Sequence, residues 1–340
     1  MNHLFYSKLA LLSGDIAKMT STKMVSIVIV NYNGKTHLEK CLQSLMEINY
    51  ASYEVILVDN NSTDGGVEFV HTEYPKVKII KLDKNYGFAE PNNIGAKSAK
   101  GEYLLFLNND TVATPNFVTE LVDVMNQDPQ IAICQSMLLK PNGDVDSSGD
   151  FIDTLGRAYS SRNRPTEVQY ILSARGASMM VKKNAFWDLG GFDKNFFASF
   201  EDVDIGWRAW LWGYKVVLVP NSTVYHIGGQ TIKTLNSVIS FHGVKNTLLL
   251  RLVNFEISYV TTSIPLLFFV ILLRKIFGVT VIKDPEQGAP LPSFKIMLHG
   301  IIWILKNFKY VITKRKQINS RRVRSTDDLI EEGVITKYSF

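Results

Sequence analysis

Cysteine is nearly missing from this chain: Cys41 and Cys134 are the only two in 340 residues. Two thiols cannot build a disulfide framework, and neither has the spacing of a metal ligand set. A reduced compartment is the expected setting. The N-terminus does not read as a secretory signal either. The apolar run Leu9–Leu12 is short and is followed by Gly14 and Asp15, so residues 1–23 read as a flexible leader. The two common phosphate-binding loops are also missing. No Gly-x-Gly-x-x-Gly follows the first apolar run and there is no Walker A sequence, which excludes the usual dinucleotide and P-loop solutions. Long apolar runs are scarce. Ile257–Leu273 carries no charge, but it is at the lower edge of a spanning length and Pro265 interrupts it.

What is present is ordinary for a folded protein with a sizeable core: 46% hydrophobic and 20% charged residues. The net charge of +5 is unevenly placed. Lys306–Arg324 holds eight basic residues and no acidic one. Only Phe308 and Tyr310 interleave it, so nucleic acid is not the expected partner.

Short apolar runs recur through the first third. Val25–Val30, Glu54–Val58, Val77–Leu82 and Tyr103–Leu107 read as strands, and helical patterns lie between them. That alternation predicts a doubly wound, mostly parallel α/β sheet. The runs end in polar side chains: Asn31 and Asn33, Asp59 and Asn60, then Asn108, Asn109 and Asp110. One such ending could be a turn that uses Asn and Asp for their tolerance of tight backbone. Three at one sheet edge fit a crevice that reads a nucleotide through side chains, since ligands of open α/β sheets bind at that edge. An Asp among amide oxygens suits a hard divalent cation, and such a cation suits a diphosphate. Asn85–Phe88, with Gly87, precedes a helix carrying Asn92, Asn93 and Gly95.

The second half adds a further acidic constellation. Asn116–Met125 reads as a helix, Ile131–Leu139 as a strand, Asn142–Gly149 as a turn and Val216–Val219 as a last strand. Glu201, Asp202 and Asp204 follow an aromatic run containing Phe196, Phe197 and Phe200. Carboxylates favour the first turn of a helix, so capping is one reading. For Asp204, capping or an ion pair with Arg208 one turn on is expected. Asp202, partly desolvated beside Phe197 and Phe200, has the raised pKa that suits a general base. His226 precedes Gly228 and Gly229; it is either a structural histidine or a group brought close to a phosphate or metal.

Val25–Gly34, Val58–Gly65, Asn85–Gly95, Leu107–Thr111, Gly190–Asp193, Phe200–Arg208 and His226–Thr231 together resemble the family 2 glycosyltransferases of GT-A fold. The nearest likeness is to bacterial rhamnosyltransferase-like members that build surface polysaccharides. The resemblance covers residues 24–235 and implies a mixed, mostly parallel, Rossmann-like nucleotide-sugar fold. It implies an inverting transferase that uses a nucleotide-diphosphate sugar, dTDP-, UDP- or GDP-linked, with Mg²⁺ or Mn²⁺. Asp59 is then expected at the nucleobase with Asn31 nearby. Asn33, Asn60, Gly87, Asn92 and Asn109 complete the nucleotide-binding candidates. Asp110 matches the last Asp of an Asp-x-Asp metal motif whose first position is here Asn108, and His226 matches a position near metal and diphosphate. Asp202, in the pair Glu201-Asp202, matches the catalytic base. Arg208-Ala209-Trp210 partly resembles a Gln-x-x-Arg-Trp element of processive relatives, but the Gln is missing, which argues against a processive polymerase.

After residue 235 the pattern changes. Ser240–Asn254 reads as an amphipathic helix with Lys245 and Arg251 among its apolar residues. Residues 236–340 are expected to form a helical, membrane-associating extension, docked on the cytoplasmic face of the inner or plasma membrane or crossing it once, with the basic run against anionic lipid; a buried core helix of a small C-terminal domain is the third reading of Ile257–Leu273. The acceptor expected from the resemblance is a glycan or lipid-linked glycan. Two other readings compete: a nucleotidyltransferase, disfavoured because only Gly34 lies where a Gly-rich signature loop would, and a non-catalytic nucleotide- or glycan-binding protein on the same fold.

Overall fold

A computed structural model describes residues 23–228, 236–277 and 294–338. The leader, except Lys23, and Gly229 lie outside the described residues. Strands and helices alternate first: β1 (Val25–Asn31), α1 (Lys35–Met46), β2 (Tyr53–Asp59), α2 (Gly66–Glu73), β3 (Lys78–Lys81), α3 (Ala89–Ser98) and β4 (Tyr103–Asn108). Next come β5 (Thr111–Ala113), α4 (Phe117–Gln127), β6 (Ile131–Leu139), β7 (Val145–Ser147), β8 (Asp150–Asp153), β9 (Ala158–Ser160) and β10 (Gln169–Tyr170). β11 (Ser178–Lys182), α5 (Lys183–Asp188), α6 (Glu201–Leu211) and β12 (Lys215–His226) follow. The C-terminal part holds α7 (Asn236–Asn254), α8 (Ile257–Phe277), α9 (Phe294–Lys306), α10 (Phe308–Ser320), α11 (Thr326–Glu331) and β13 (Ile335–Thr336).

The main sheet runs β10-β12-β6-β11-β4-β1-β2-β3. β1 alternates sides, as a strand buried on both faces must. Val28 joins the core under α3, while Ile27 and Ile29 join the core under α1 and α4. Gly95 lets α3 lie close on that sheet, since a Cβ there would sit 2.4 Å from Val28 Cγ1. Parallel pairing holds among β1, β2, β3 and β4. The expected mixed, mostly parallel sheet is found: in the other half β12 also pairs with β6 in parallel. β11 runs antiparallel to both β4 and β6, so the sheet is mixed. Antiparallel neighbours need no helical crossover, and loops suffice to return the chain there.

Two other expectations do need correction, and both bear on the site. The last strand is longer than Val216–Val219. It continues past Pro220, with an irregular register between Val219 and Thr223, and ends on His226 opposite Thr111 of β5. Pro lacks the N–H a regular ladder would use, so the strand bends there and resumes. The helix expected to be amphipathic, α7, instead buries Lys245 and Arg251 to 1% and 0% exposure. Its Leu248, Leu249, Leu250 and Val253 join the core shared with α6. Arg251 is stabilised by carbonyls rather than water, donating to Leu155 O at 2.7 Å and Thr247 O at 2.7 Å. Much of the basic run is likewise spent on the protein. Lys314 pairs with Asp193 at 3.1 Å, Arg321 with Asp188 at 2.6 Å, and Arg315 donates to Leu252 O and Phe255 O. Among the described residues no helix is long and apolar enough to cross a membrane. Within Ile257–Leu273, the side chains at 267, 268 and 270–273 lie outside the described residues.

Asp204 takes the ion-pair role. Its carboxylate meets Arg208 at 2.7 Å with both side chains fully buried, and Asn254 of α7 donates to it at 3.2 Å. Arg208 also donates to Leu189 O and Gly191 O, fixing the turn after α5. Removing one partner strands a buried charge, which costs about 3–5 kcal/mol. Asp204→Ala is therefore expected to lower the urea midpoint markedly at unchanged m-value. A midpoint equal to wild type would show that the pair contributes nothing.

Candidate active site

The strand ends do converge. In register, Asn31 of β1 faces Asp59 of β2, and Val30 faces Asn108 of β4. Asn31 is fully buried and acts as a hub. Its Oδ1 accepts from Asn109 Nδ2 at 2.7 Å, and its Nδ2 donates to Ser62 Oγ at 3.1 Å and to Asp59 Oδ1 at 3.4 Å. Asp59 Oδ2 accepts from Ser62 N at 3.0 Å. Asn33, at φ +51°, accepts from Thr63 N at 2.8 Å. Asn60 ties the next loop in: its Nδ2 donates to Gly87 O at 2.7 Å and its Oδ1 accepts from Tyr86 N at 2.9 Å. Gly87 sits at φ +83°, where a Cβ would lie 2.4 Å from Phe197 O. These residues form one cross-tied polar floor with carboxylate and amide groups near its surface, the kind of arrangement that can hydrogen-bond a base and ribose. Asn92 is used differently. Its amide donates to Phe88 O at 2.9 Å within the start of α3.

At the far end of β4 a second cluster forms. His226 Nδ1 lies 2.9 Å from Asp146 Oδ2, and its Nε2 lies 3.4 Å from Asp110 Oδ1. Burial alone would lower the imidazole pKa, but the hydrogen bonds to Asp110 and Asp146 outweigh it and push it up to about 9. Burial would raise Asp110, yet His226 holds it below the usual carboxylate value. Gly228 N also donates to Asp110 Oδ2 at 3.2 Å. Among the described residues no three His, Cys, Asp or Glu side chains make a ready cation cage. The protein supplies a carboxylate and an imidazole facing each other, an incomplete donor set that suits a cation bringing phosphate oxygens with it. Asp110, and His226 once its Nε2 has given up its proton, are the residues that would hold such an ion.

The third cluster surrounds Asp202. Its Oδ1 accepts at 2.8 Å from Val203 N, a free N–H of the first turn of α6, and its Oδ2 accepts from Gly176 N at 3.3 Å. Burial, and then the charge of Asp150, push its pKa up to about 6. Glu201 is more deeply enclosed. Its Oε2 has no hydrogen-bond partner among the described residues, and burial followed by the Asp202 charge holds its pKa well above the usual value. Gly176 lies just before β11, whose Ser178 pairs with Leu107 near the end of β4. Asp202 therefore belongs to the same sheet edge as Asp110.

Three residues that the structure places beside the candidate site escaped the sequence reading: Asp146, Asp150 and Arg175. Arg175 Nε meets Asp150 at 3.2 Å and Nη1 meets Asp146 at 3.7 Å. It thereby links the His226 cluster to the surroundings of Asp202. The signal for them was thin: acids in the Gly- and Asn-rich segment Asn142–Asp150, and an Arg-Gly between two apolar runs. The backbone before α6 is unusual as well. Phe197, Ser199 and Phe200 have φ of +63°, +70° and +70°. Each such non-glycine residue costs about 1–3 kcal/mol and persists only where its surroundings enforce it.

Residues 26–190 match the model of glycosyl transferase family 2. The O-antigen biosynthesis protein RfbC of Myxococcus xanthus is 32% identical over 221 residues, 60% of this chain and 17% of that protein. The chain thus spans only about a sixth of that relative. An N-acetylglucosaminyl-diphospho-decaprenol L-rhamnosyltransferase of Mycobacterium tuberculosis is 26% identical over 234 residues, 60% of this chain and 76% of that protein. Among solved structures, the mannosyltransferase PcManGT of Pyrobaculum calidifontis, in complex with GDP-Man and Mn²⁺, superposes with a TM-score of 0.54. It is 14% identical, and the match covers 89% of this chain and 86% of that one. The fold is mixed α/β and GT-A-like.

Proposed function

We propose, from the match of residues 26–190 to glycosyl transferase family 2, that the chain moves a sugar from a nucleotide-diphosphate donor to a hydroxyl of a glycan or lipid-linked glycan in polysaccharide synthesis, with inversion. The observation that carries this is the pairing, on one sheet edge, of the Asp110–His226 cluster with a partly desolvated carboxylate, Asp202. Asp202 takes the proton of the acceptor hydroxyl. The acceptor oxygen then bonds to the anomeric carbon as the bond to the diphosphate oxygen breaks on the opposite face, and the nucleoside diphosphate leaves with the bonding electrons. A divalent cation, Mg²⁺ or Mn²⁺, would offset charge on the diphosphate from the Asp110 and His226 end. Asp59, Asn31, Asn33, Asn60 and Asn109 orient the nucleotide, while Arg175 keeps a positive charge between the two ends. Rhamnose is the donor sugar favoured by the mycobacterial relative's name, and dTDP is the carrier favoured by the rhamnosyltransferase likeness of the sequence.

A membrane surface is the proposed site of work, at the cytoplasmic face. Leu298, Leu305 and Phe308 are exposed around the junction of α9 and α10, with Lys306 and Lys309 beside them. That combination supports shallow docking on anionic lipid, where each charge is worth about 1 kcal/mol.

The full chain should be incubated with dTDP-rhamnose, UDP-GlcNAc and GDP-mannose in turn, with Mn²⁺, and the released nucleoside diphosphate measured. Slow, EDTA-sensitive release from one donor, water standing in as acceptor, is the expected result. No release from any donor would overturn the transferase reading and favour a nucleotide-binding role.

A further inference from the structure

We infer that the C-terminal helices take part in the reaction through Asn246 of α7, a positioning residue that holds the left-turning loop ahead of α6 and, through that loop, Asp202. This rests on the transferase reading above. Asn246 is fully buried, and its amide nitrogen lies 2.9 Å from Phe196 O, 3.1 Å from Ala198 O and 2.6 Å from Ser199 O. Two amide hydrogens shared among three carbonyls fix the path of the chain between them. The carbonyl end of the same amide, Oδ1, has no partner among the described residues. A buried polar atom left unmatched costs stability, so what this position contributes is its donors, all aimed at one loop.

The neighbours of Asn246 grip the same loop. Lys245 donates to Asn195 O, and the His242 ring stacks on Phe197 with centroids 4.7 Å apart. From α10, Lys314 and Tyr310 both reach Asp193. The loop needs outside support because Phe197, Ser199 and Phe200 all sit at positive φ, and no side chain caps α6 at Phe200. Its two ends lead to opposite sides of the site. Phe197 O accepts from Phe88 N at 2.6 Å and Ala89 N at 3.2 Å, at the start of α3 beside Gly87. Phe200 O accepts from Asp204 N at 2.9 Å, closing the turn of α6 that carries Asp202. A relaxed loop would shift Asp202 against the nucleotide floor. Misplacement of about 1 Å can cost on the order of a hundredfold in rate.

The test uses the full chain and the donor that wild type turns over. Asn246→Ala is expected to lower kcat for nucleoside diphosphate release at least tenfold, with donor KM and Mn²⁺-dependent nucleotide affinity within about twofold. Adding Ser199→Gly, which removes the left-handed penalty at 199, should recover part of the lost kcat. Asn246→Ser keeps one donor and should fall between. It also serves if the alanine variant fails to fold, with its kcat-against-KM split read the same way. Wild-type kcat in a cooperatively folded variant would overturn the inference alone. So would equal losses in kcat and nucleotide affinity, which mark general loosening. An inactive wild type would instead sink the transferase reading, and this inference with it.

Discussion

Asp202→Asn is expected to fold, to bind nucleotide and Mn²⁺ as wild type does, and to lose roughly 10²–10⁴-fold in turnover, the usual contribution of a general base. The substitution is nearly isosteric, and Asn Oδ1 can still accept from Val203 N or Gly176 N, the two donors the carboxylate now uses. What disappears is the capacity to take a proton. The pH dependence makes the assignment sharper. Burial and the Asp150 charge bring the Asp202 pKa up to about 6, so below that value the group already carries a proton and cannot accept one. Wild-type activity should therefore climb across an acid limb near pH 6, and the residual activity of the variant should lack that limb. The stability effect runs the other way. A carboxyl whose folded pKa is raised contributes stability that is fully present at low pH and lost as pH rises through about 6. Asp202→Asn should thus be at least as stable as wild type at pH 7. Turnover and thermal unfolding measured side by side from pH 5 to 8 check both statements, and a folded variant with wild-type turnover ends the assignment.

Asp110→Ala is the second large effect. Among the described residues it removes the only carboxylate paired with His226 Nε2, and Asn108, being neutral, cannot replace it. His226 keeps Asp146 at 2.9 Å, so the local structure should survive. The expected result is loss of Mn²⁺-dependent nucleotide binding, seen as no thermal shift with dTDP, UDP or GDP in the presence of Mn²⁺. Wild type should be stabilised by one of them through mass action. A variant that still shows the Mn²⁺-dependent shift would place the cation elsewhere.

How much of this could be read from the sequence varied with the range of the forces involved. Strands β1, β2 and β4 were legible because they are continuous apolar runs. Their polar ends were legible because side chains that stop such a run must surface at the sheet edge. Asp110, Asp202 and His226 stood out through motif context. Asp146 and Arg175 did not, since their partners lie far along the chain: Asp146 meets a histidine 80 residues away, and no local periodicity reports such a contact. The same holds for α7. Lys245 and Arg251 among leucines look like a wet helix face, and nothing local says that carbonyls of Asn195 and Leu155 will take the place of water. Asn92 shows a contact that its type alone does not announce. Its type and position suited a ligand, but an asparagine in the first turn of a helix can satisfy itself on the backbone behind it.

The small second sheet has a bearing on how the protein comes to be assembled. β13 pairs in parallel with β8, which in turn pairs with β9, and Asp150 at the start of β8 is the acid that meets Arg175. A strand that waits for a partner nearly two hundred residues downstream closes a very long loop and forms late. During synthesis the parallel half-sheet can collapse on its own helices, whereas the β8–β9 hairpin stays an open edge until Ile335 and Thr336 have left the ribosome. The edge of β8 away from β9 would then be covered late, and uncovered first when Ile335 and Thr336 detach.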